Sequence, residues 1–238
     1  SQGSSNTDGS INTTYTSVNT TAGFSISKYT GTGSNATIGH GLGAVPKMII
    51  IKNLTNSVNW HCYHSALGAT KVIYLSLYNA AATDSTSFNN TEPTTSVFSV
   101  GTDTGTNQSG SDFIAYCFAE IKGFSKIGSY VGNGNADGSF IYTGFKPAFI
   151  ITKLSSTGSE DWKLHDSKRP GFNLTNDFLQ PSNNGAELDT SNQMDILSNG
   201  FKWRSNNTAT NSSGNTIIYM AFAEAPLVGS NNVPATAR

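Results

Sequence analysis

The sequence predicts an all-β protein made of two tandem antiparallel β-sandwich units, jelly-roll-like and related by internal duplication. Three observations carry this prediction. Four blocks of sequence recur in the same order, apolar residues alternate with a period of two, and clusters of Gly, Asn and Thr separate the short apolar runs. The 238 residues are enough for two domains of ordinary size.

The first predicted element is an extended N-terminal arm or linker, residues 1–22. Only Ile11 and Val18 are aliphatic in this segment, which is too little apolar surface to offset the entropy lost when a backbone is ordered. Together with Tyr15, these residues are spaced so that an extended segment could lay its side chains on a neighbouring surface. The arm therefore predicts a homo-oligomer in which it packs against another subunit.

The repeat divides the rest of the chain into β-sandwich repeat 1, residues 23–122, and β-sandwich repeat 2, residues 123–238, which ends in a short tail. Matched blocks lie roughly one hundred residues apart, as expected of a tandem duplication of a domain. The matched blocks are 24–33 with 124–134, 44–52 with 145–153, 59–65 with 161–167, and 115–120 with 219–224.

Several apolar runs predict individual strands. The runs MIII (48–51) and FII (149–151) are continuous and rich in β-branched residues, so we expect central strands that are buried on both faces. The runs that end in FAE, 113–120 and 216–224, are expected to be of the same kind. Segment 200–205, GFKWRS, alternates apolar and polar residues, which predicts a strand with one face in water.

The charge of the chain excludes several partners. The formal net charge is -1, and charged residues make up 12% of the sequence, against roughly 25% in typical soluble proteins. A protein of this kind has no electrostatic footprint for nucleic acid or for an anionic membrane. No apolar run reaches the roughly 18 residues of a membrane span, so no membrane insertion is expected.

The two cysteines, Cys62 and Cys117, are expected to be reduced and buried. Their matched positions in repeat 2 are Leu164 and Ala221, and a cysteine that replaces an apolar residue is most simply a small buried hydrophobe. A disulfide is the alternative, because pairing geometry cannot be read from sequence.

No metal site is expected at the cluster His61, Cys62 and His64. On an extended strand His61 points away from the other two side chains. Repeat 2 has Lys163 and Asp166 at the positions of the two histidines.

A second string of possible ligands, Asn133, Asn135, Asp137 and Gly138, resembles the start of a calcium loop. It ends in Gly144 where such a loop has its closing Glu. A polar turn is therefore the expected structure.

No catalytic residue and no cofactor are predicted. The patterns GxSxG, HExxH and the P-loop do not occur in the sequence. Glu120 and Glu224 occupy the same place in the two repeats, so they are two copies of one structural feature rather than the paired carboxylates of a glycosidase.

The best candidate for a binding site is Trp203 with its neighbours Lys202 and Arg204. Trp60 and Trp162 recur at matched positions, as expected of core residues, whereas Trp203 has no counterpart. An indole offers a flat apolar face for a sugar ring, and an adjacent Arg supplies hydrogen-bond donors. The alternative is that Trp203 is an ordinary half-buried aromatic residue of a strand.

Five stretches of the chain carry a resemblance to a known family. They are 21–53, 59–71, 112–153, 195–202 and the closing ATAR at 235–238. Together they resemble a domain of structural proteins from marine tailed bacteriophages, where it lies in the C-terminal part of tail-fibre and other virion surface proteins. The resemblance covers about 22–238. It implies an extracellular location on the virion surface, other virion proteins as partners, and no catalysis.

The expected function is therefore that of a virion structural protein, a tail-fibre or receptor-binding component that contacts host glycans or outer-membrane molecules. By analogy with phage fibres, a trimer about a fibre axis is the expected symmetry of the homo-oligomer. Two alternatives are a capsid decoration or head-fibre protein and a polysaccharide depolymerase. Occupancy of a capsid lattice would favour the first, and activity on a host glycan the second.

Overall fold

The computed structural model describes residues 3–169, 173–189 and 193–224. Residues 225–238, which include the predicted C-terminal tail, lie outside the described residues, as do the first two residues of the predicted arm. Within the described ranges the chain is built almost entirely of antiparallel strands. The predicted all-β class is confirmed.

The chain divides into two compact units. Unit 1 comprises Ser1–Ser76 and Ala81–Glu120, and unit 2 comprises Leu77–Ala80 and Ile121–Arg238. The division after Glu120 lies close to the predicted end of repeat 1 at residue 122. Unit 1 also includes the predicted N-terminal arm, and the short segment Leu77–Ala80 of predicted repeat 1 belongs to unit 2.

Unit 1 contains two antiparallel sheets in its described part. Its elements are β1 (Tyr15–Asn19), β2 (Phe24–Thr30), β3 (Ala36–Gly39), β4 (Met48–Asn53), β5 (His61–His64), β6 (Lys71–Tyr74), β7 (Ala82–Thr83), β8 (Val97–Val100), the helix α1 (Thr104–Asn107) and β9 (Asp112–Phe118). A seven-stranded sheet has the order β1-β2-β9-β4-β5-β6-β7, and β3 pairs with β8 in a second sheet.

The core of unit 1 lies between these two sheets. Ile38 on β3 and Phe98 on β8 belong to one buried cluster with Tyr29 on β2 and Phe113 on β9. The Tyr29 ring stacks on Phe113 at 5.2 Å between centroids and meets Phe98 edge-on at 6.4 Å. Because the inward residues of both sheets interdigitate in this way, unit 1 is a β-sandwich.

Unit 2 is also built from two antiparallel sheets. Its elements are β10 (Ser125–Val131), β11 (Phe140–Tyr142), β12 (Pro147–Leu154), β13 (Lys163–Asp166), β14 (Met194–Leu197), β15 (Gly200–Trp203), the helix α2 (Thr208–Asn211) and β16 (Thr216–Ala223). The sheets have the orders β10-β16-β12-β13 and β11-β15-β14. Phe201 of the smaller sheet meets Tyr219 of the larger edge-on at 5.6 Å, so the core again lies between two sheets.

The two units share a strand order. We count strands from β2 in unit 1 and from β10 in unit 2. In both units the first, last, third and fourth strands then lie side by side in that order, as β2-β9-β4-β5 and as β10-β16-β12-β13. In each unit a single helical turn precedes the strand that ends in FAE. This parallel is what a tandem duplication would produce. Superposition of the units, with Trp60 over Trp162, stays a prediction.

The predicted central strands are found at β4 and β12. All four residues of the MIII run are buried, and so are Ile150 and Ile151 of β12. The two helical turns were not predicted, because four residues are too few to show a helical period. They begin after Asp103 and Asn207, whose side chains accept the Gly105 and Ala209 amide hydrogens. In the described part of the chain, no helix has the length and apolarity needed to span a membrane.

The described part of the N-terminal arm belongs to unit 1, so the expectation that it cannot order on its own chain was wrong. β1 pairs with β2 along its whole length. Ile11 is buried in the core, and its amide donates to the Thr37 carbonyl of β3 at 3.0 Å. The arm is poor in apolar residues, but backbone hydrogen bonds and the burial of one isoleucine stabilise it. The original reason to expect a second subunit is thereby removed, and the trimer stays an untested prediction.

The cysteine prediction is confirmed: Cys62 and Cys117 are free and fully buried. Burial raises the pKa of each thiol to about 12, so neither is a thiolate at neutral pH. We expect iodoacetamide to leave the native protein unlabelled and to modify both residues in urea, as measured by intact mass. Labelling of either thiol in the native protein would contradict this burial.

Candidate functional site

Unit 1 carries a pocket of about 580 Å³ at the point where β4 ends, β5 begins and α1 starts. Known small-molecule sites have volumes of roughly 300–1,000 Å³, so the pocket is of ligand-binding size. Its lining is mostly polar, with aromatic rings among the polar groups. The lining residues are Lys52, Ser57, Val58, Asn59, Trp60, His61, Tyr74, Ser76, Asp103 and Thr104.

One wall of the pocket is the loop between β4 and β5, which is held by two side chains of β4. The Lys52 ammonium donates to the carbonyl oxygens of Asn53 at 2.7 Å and Val58 at 3.1 Å. The buried Asn53 amide donates to the Thr104 carbonyl at 3.0 Å and so ties this wall to α1. The loop is therefore fixed before any ligand arrives.

The floor of the pocket is an imidazole–carboxylate pair. His61 Nε2 lies 3.0 Å from Asp103 Oδ1, and His61 Nδ1 lies 3.1 Å from the Asn59 carbonyl. The same Asp103 oxygen accepts the Gly105 amide at 2.6 Å, which caps α1. A Cβ at Gly105 would come within 1.9 Å of His61 Cε1, so only glycine lets α1 approach the imidazole this closely.

The electrostatics of the floor favour a charged carboxylate. The hydrogen bond from His61 is the main influence that holds the pKa of Asp103 below its usual value, and burial opposes it. Burial, together with the nearby carboxylates of Asp103 and Asp84, raises the pKa of Tyr74. At neutral pH the pocket therefore presents a carboxylate beside a neutral phenol.

Two aromatic residues, Trp60 and Tyr74, are among the residues that line the pocket. The Trp60 ring is half-buried and stacks on Tyr116 at 6.5 Å with an interplanar angle of 19°. Tyr74 meets the His61 ring edge-on at 4.8 Å. The Ser76 hydroxyl accepts from the Trp60 amide, which fixes the backbone beneath the indole. Trp60 is thus held by a ring outside the pocket lining, and Tyr74 contacts another lining residue, His61.

The imidazole–carboxylate pair belongs to unit 1. The matched positions of unit 2 carry Lys163 in place of His61 and Asn207 in place of Asp103. Lys163 Nζ instead lies 5.1 Å from the centre of the Phe178 ring. The two units therefore differ in chemistry at this position.

The sequence predicts no metal site at His61 and His64 and a hydrogen-bonded His64 beside Trp60, but it does not point to Asp103 or Tyr74. The structure gives each histidine a separate partner, because His61 pairs with Asp103 while His64 Nδ1 accepts the Ala66 amide hydrogen. Among the described residues, no group of three or more His, Cys, Asp or Glu side chains is placed to hold a metal ion.

The predicted binding role of Trp203 was wrong. Its side chain is fully buried in the core of unit 2, where it meets the Phe201 ring edge-on at 6.1 Å. On β15, Phe201 and Trp203 are buried and face inward, while Lys202 between them is only half-buried and faces outward. An indole in this place offers no surface to a ligand.

Lys202 and Arg204, the neighbours of Trp203, are brought together on the outside of unit 2. Lys202 Nζ lies 2.7 Å from Asp137 Oδ1, and Arg204 Nη1 lies 3.2 Å from the same oxygen. Arg204 Nε also pairs with Asp195 at 2.6 Å. These four side chains, Lys202, Arg204, Asp137 and Asp195, are called the charged cluster below.

The string that resembles a calcium loop forms a polar turn. Asn133 Oδ1 accepts the Asn135 amide at 2.9 Å, and Asn135 Oδ1 accepts the Asp137 amide at 3.0 Å. The hydrogen bond from Lys202 lowers the pKa of Asp137. The Asp137 carboxylate therefore makes ion pairs in the charged cluster and is not part of a calcium site.

Comparison with known proteins identifies the family of the chain. Nothing matches among curated proteins or among solved structures. A family model described as a domain of unknown function, DUF7483, matches residues 1–226. Because that match covers nearly the whole chain, the protein belongs to the DUF7483 family.

Proposed function

We propose that this chain is a structural component of a bacteriophage virion surface, in a tail fibre or a receptor-binding part, and that the pocket of unit 1 binds a saccharide of the host surface. The resemblance of the repeated blocks to phage virion proteins supports the location. The pocket supports the ligand class. The observation that carries the proposal is the combination of Trp60 and Tyr74 with a charged carboxylate in one pocket of suitable size.

A saccharide fits this chemistry better than an apolar ligand. Each sugar ring has an apolar face that stacks on an aromatic ring and a rim of hydroxyls that need donors and acceptors. Trp60 and Tyr74 supply the rings. Asp103, Asn59 and Thr104 supply polar atoms of the lining.

The arrangement of His61 supports binding rather than catalysis. A general base needs a ring nitrogen that can take a proton from the reacting group. Both nitrogens of His61 already face protein oxygens, those of Asp103 and Asn59. The imidazole therefore positions the carboxylate and the loop.

The test is binding of the full chain to an array of oligosaccharides from bacterial surface polysaccharides, followed by calorimetry with the strongest binder. We expect Trp60→Ala to weaken binding at least tenfold, or about 1.4 kcal/mol, because the stacking surface is lost. Tyr15→Ala is the matched control, since Tyr15 is an exposed aromatic of unit 1 that does not line the pocket.

Each alternative has its own signature in this experiment. Equal binding by the Trp60 and Tyr15 variants, or no binding to any oligosaccharide by the unmodified protein, would refute the pocket. Release of new reducing ends from the bound polysaccharide would instead favour a depolymerase. Copies spread over the shell of an intact virion in electron cryomicroscopy, without saccharide binding, would favour a capsid decoration protein.

A further inference from the structure

Unit 2 exposes two large aromatic side chains side by side on one strand. Phe140 is 46% exposed and Tyr142 is 64% exposed. Both lie on β11, an edge strand of its sheet, and Ile141 between them is buried. Residues two apart on a strand are about 6.5–7 Å apart on the same face, so the two rings lie on one exposed face of the strand.

Each of these rings is packed beside a glycine. A Cβ at Gly200 would lie 3.0 Å from Phe140 Cε2, and a Cβ at Gly144 would lie 3.5 Å from the Tyr142 hydroxyl. Because no side chain stands between ring and backbone, the rings can lie low on the protein and turn their outer surface to solvent. We call Phe140, Tyr142 and the two glycines the aromatic platform.

The fold itself does not require large residues at these positions. In unit 1 the corresponding strand β3 carries Thr37 and Gly39 at the places of Phe140 and Tyr142, judged by pairing with β8 and β15. There the N-terminal segment covers the strand: a Cβ at Gly39 would lie 1.7 Å from Asn6 Oδ1. Unit 1 thus covers this strand with its own chain, whereas unit 2 presents exposed rings.

The size of the platform argues against a protein partner. A fully buried aromatic side chain covers about 150–250 Å², so two half-exposed rings offer far less than the roughly 800 Å² that each partner of a stable protein interface buries. The platform is of the right size for a few sugar rings.

The surroundings of the platform indicate the class of sugar. Phe140 lies opposite Lys202 in the sheet, and Lys202 lies opposite Asp195. The charged cluster thus adjoins the platform, with two positive and two negative side chains. It offers hydrogen-bond donors and acceptors but no net charge.

We propose that the aromatic platform of unit 2 binds an internal stretch of a neutral polysaccharide chain, as a second saccharide site separate from the pocket of unit 1. A flat, open surface lets a chain pass across it, whereas a pocket takes a chain end or a single residue. The assignment goes beyond the proposed function, because it would hold even if the pocket bound nothing.

The test is native gel electrophoresis of the full chain in gels that contain dextran, galactomannan or hydroxyethyl cellulose, with alginate as the anionic comparison. We expect at least one neutral polymer to retard the protein and alginate to leave its mobility unchanged. The double variant Phe140→Thr/Tyr142→Thr should lose at least tenfold in apparent affinity. Tyr15→Thr, an exposed aromatic on the edge strand β1, is the matched control and should bind normally.

Several outcomes would overturn the assignment. One is the absence of retardation by every neutral polymer, and another is equal retardation by alginate. Loss of retardation in Trp60→Ala alone would place polymer binding in the pocket, so the proposed function would stand while the platform failed. Dissociation of an oligomer by the double variant in sedimentation velocity would instead make this face a protein interface. Circular dichroism of the double variant checks that the fold is kept.

Discussion

Replacing Trp203 by alanine is expected to destabilise the protein by about 3–5 kcal/mol, the usual cost of deleting a large aromatic side chain from a core. Trp203 is fully buried, and its ring meets Phe201 at 6.1 Å and His165 at 5.5 Å. The deletion would leave a cavity that these rigid neighbours cannot fill. Equilibrium urea unfolding followed by circular dichroism measures the loss.

Arg204→Ala is the control for this prediction. Arg204 lies next to Trp203 in the chain but is exposed, and its pair with Asp137 is on the surface, while its second partner Asp195 is 13% exposed. Surface ion pairs contribute roughly 0–1 kcal/mol, so the variant should unfold close to the unmodified protein. A Trp203→Ala variant as stable as Arg204→Ala, but deficient in saccharide binding, would show that the indole lies at the surface after all.

The error over Trp203 has a clear physical origin. Its lack of a counterpart in repeat 1 suggested a function, yet alternation along the strand already places it on the same face as Phe201 and opposite Lys202. The alternation of side chains along the strand was thus a better guide to the position of Trp203 than the missing counterpart in repeat 1. The same alternation identifies Phe140 as an exposed aromatic residue. Phe140 pairs with Lys202 across the sheet, so the two side chains share the outer face.

Strand positions and cysteine states could be predicted because they depend on local pattern. The apolar run of β4 and the replacement of Cys62 by Leu164 in the second repeat are visible without knowledge of the fold. The pocket could not be predicted in the same way, since it depends on α1 coming up against the start of β5 so that Asp103 reaches His61. The prediction about the N-terminal arm was wrong for a related reason. Its order comes from backbone pairing with β2, and composition does not report backbone pairing.

Two buried asparagines are the residues that sequence reasoning overlooked most clearly. Asn107 is the last residue of α1, and its amide donates to the carbonyls of Ser34 at 2.6 Å and Gly101 at 2.8 Å. Its Oδ1 accepts the Thr32 amide at 2.9 Å. The signal was available, because the string T-x-T-N recurs at 104–107 and 208–211.

Asn211 repeats this role in unit 2. Its amide donates to the carbonyls of Asn135 at 2.8 Å and Ser205 at 3.0 Å, and its Oδ1 accepts the Asn133 amide at 3.0 Å. Both asparagines are fully buried. Each therefore holds loop residues that lie outside the strands, and those held by Asn211 include the turn that carries Asp137 of the charged cluster.

Asn107→Ala and Asn211→Ala are each expected to cost about 3 kcal/mol or more, because the first removes three side-chain hydrogen bonds and the second four, and each leaves buried backbone groups unsatisfied at roughly 1–3 kcal/mol apiece. Asn56→Ala is the matched control: its amide also makes two hydrogen bonds, to Gln108 and Ser111, but Asn56 is exposed and water can replace them. Urea unfolding of the three variants measures the difference. If the buried asparagines prove as dispensable as Asn56, the loops are held by the sheets alone. If they do not, the Asn211 variant should also weaken polysaccharide binding, since the charged cluster beside the platform depends on the turn that Asn211 holds.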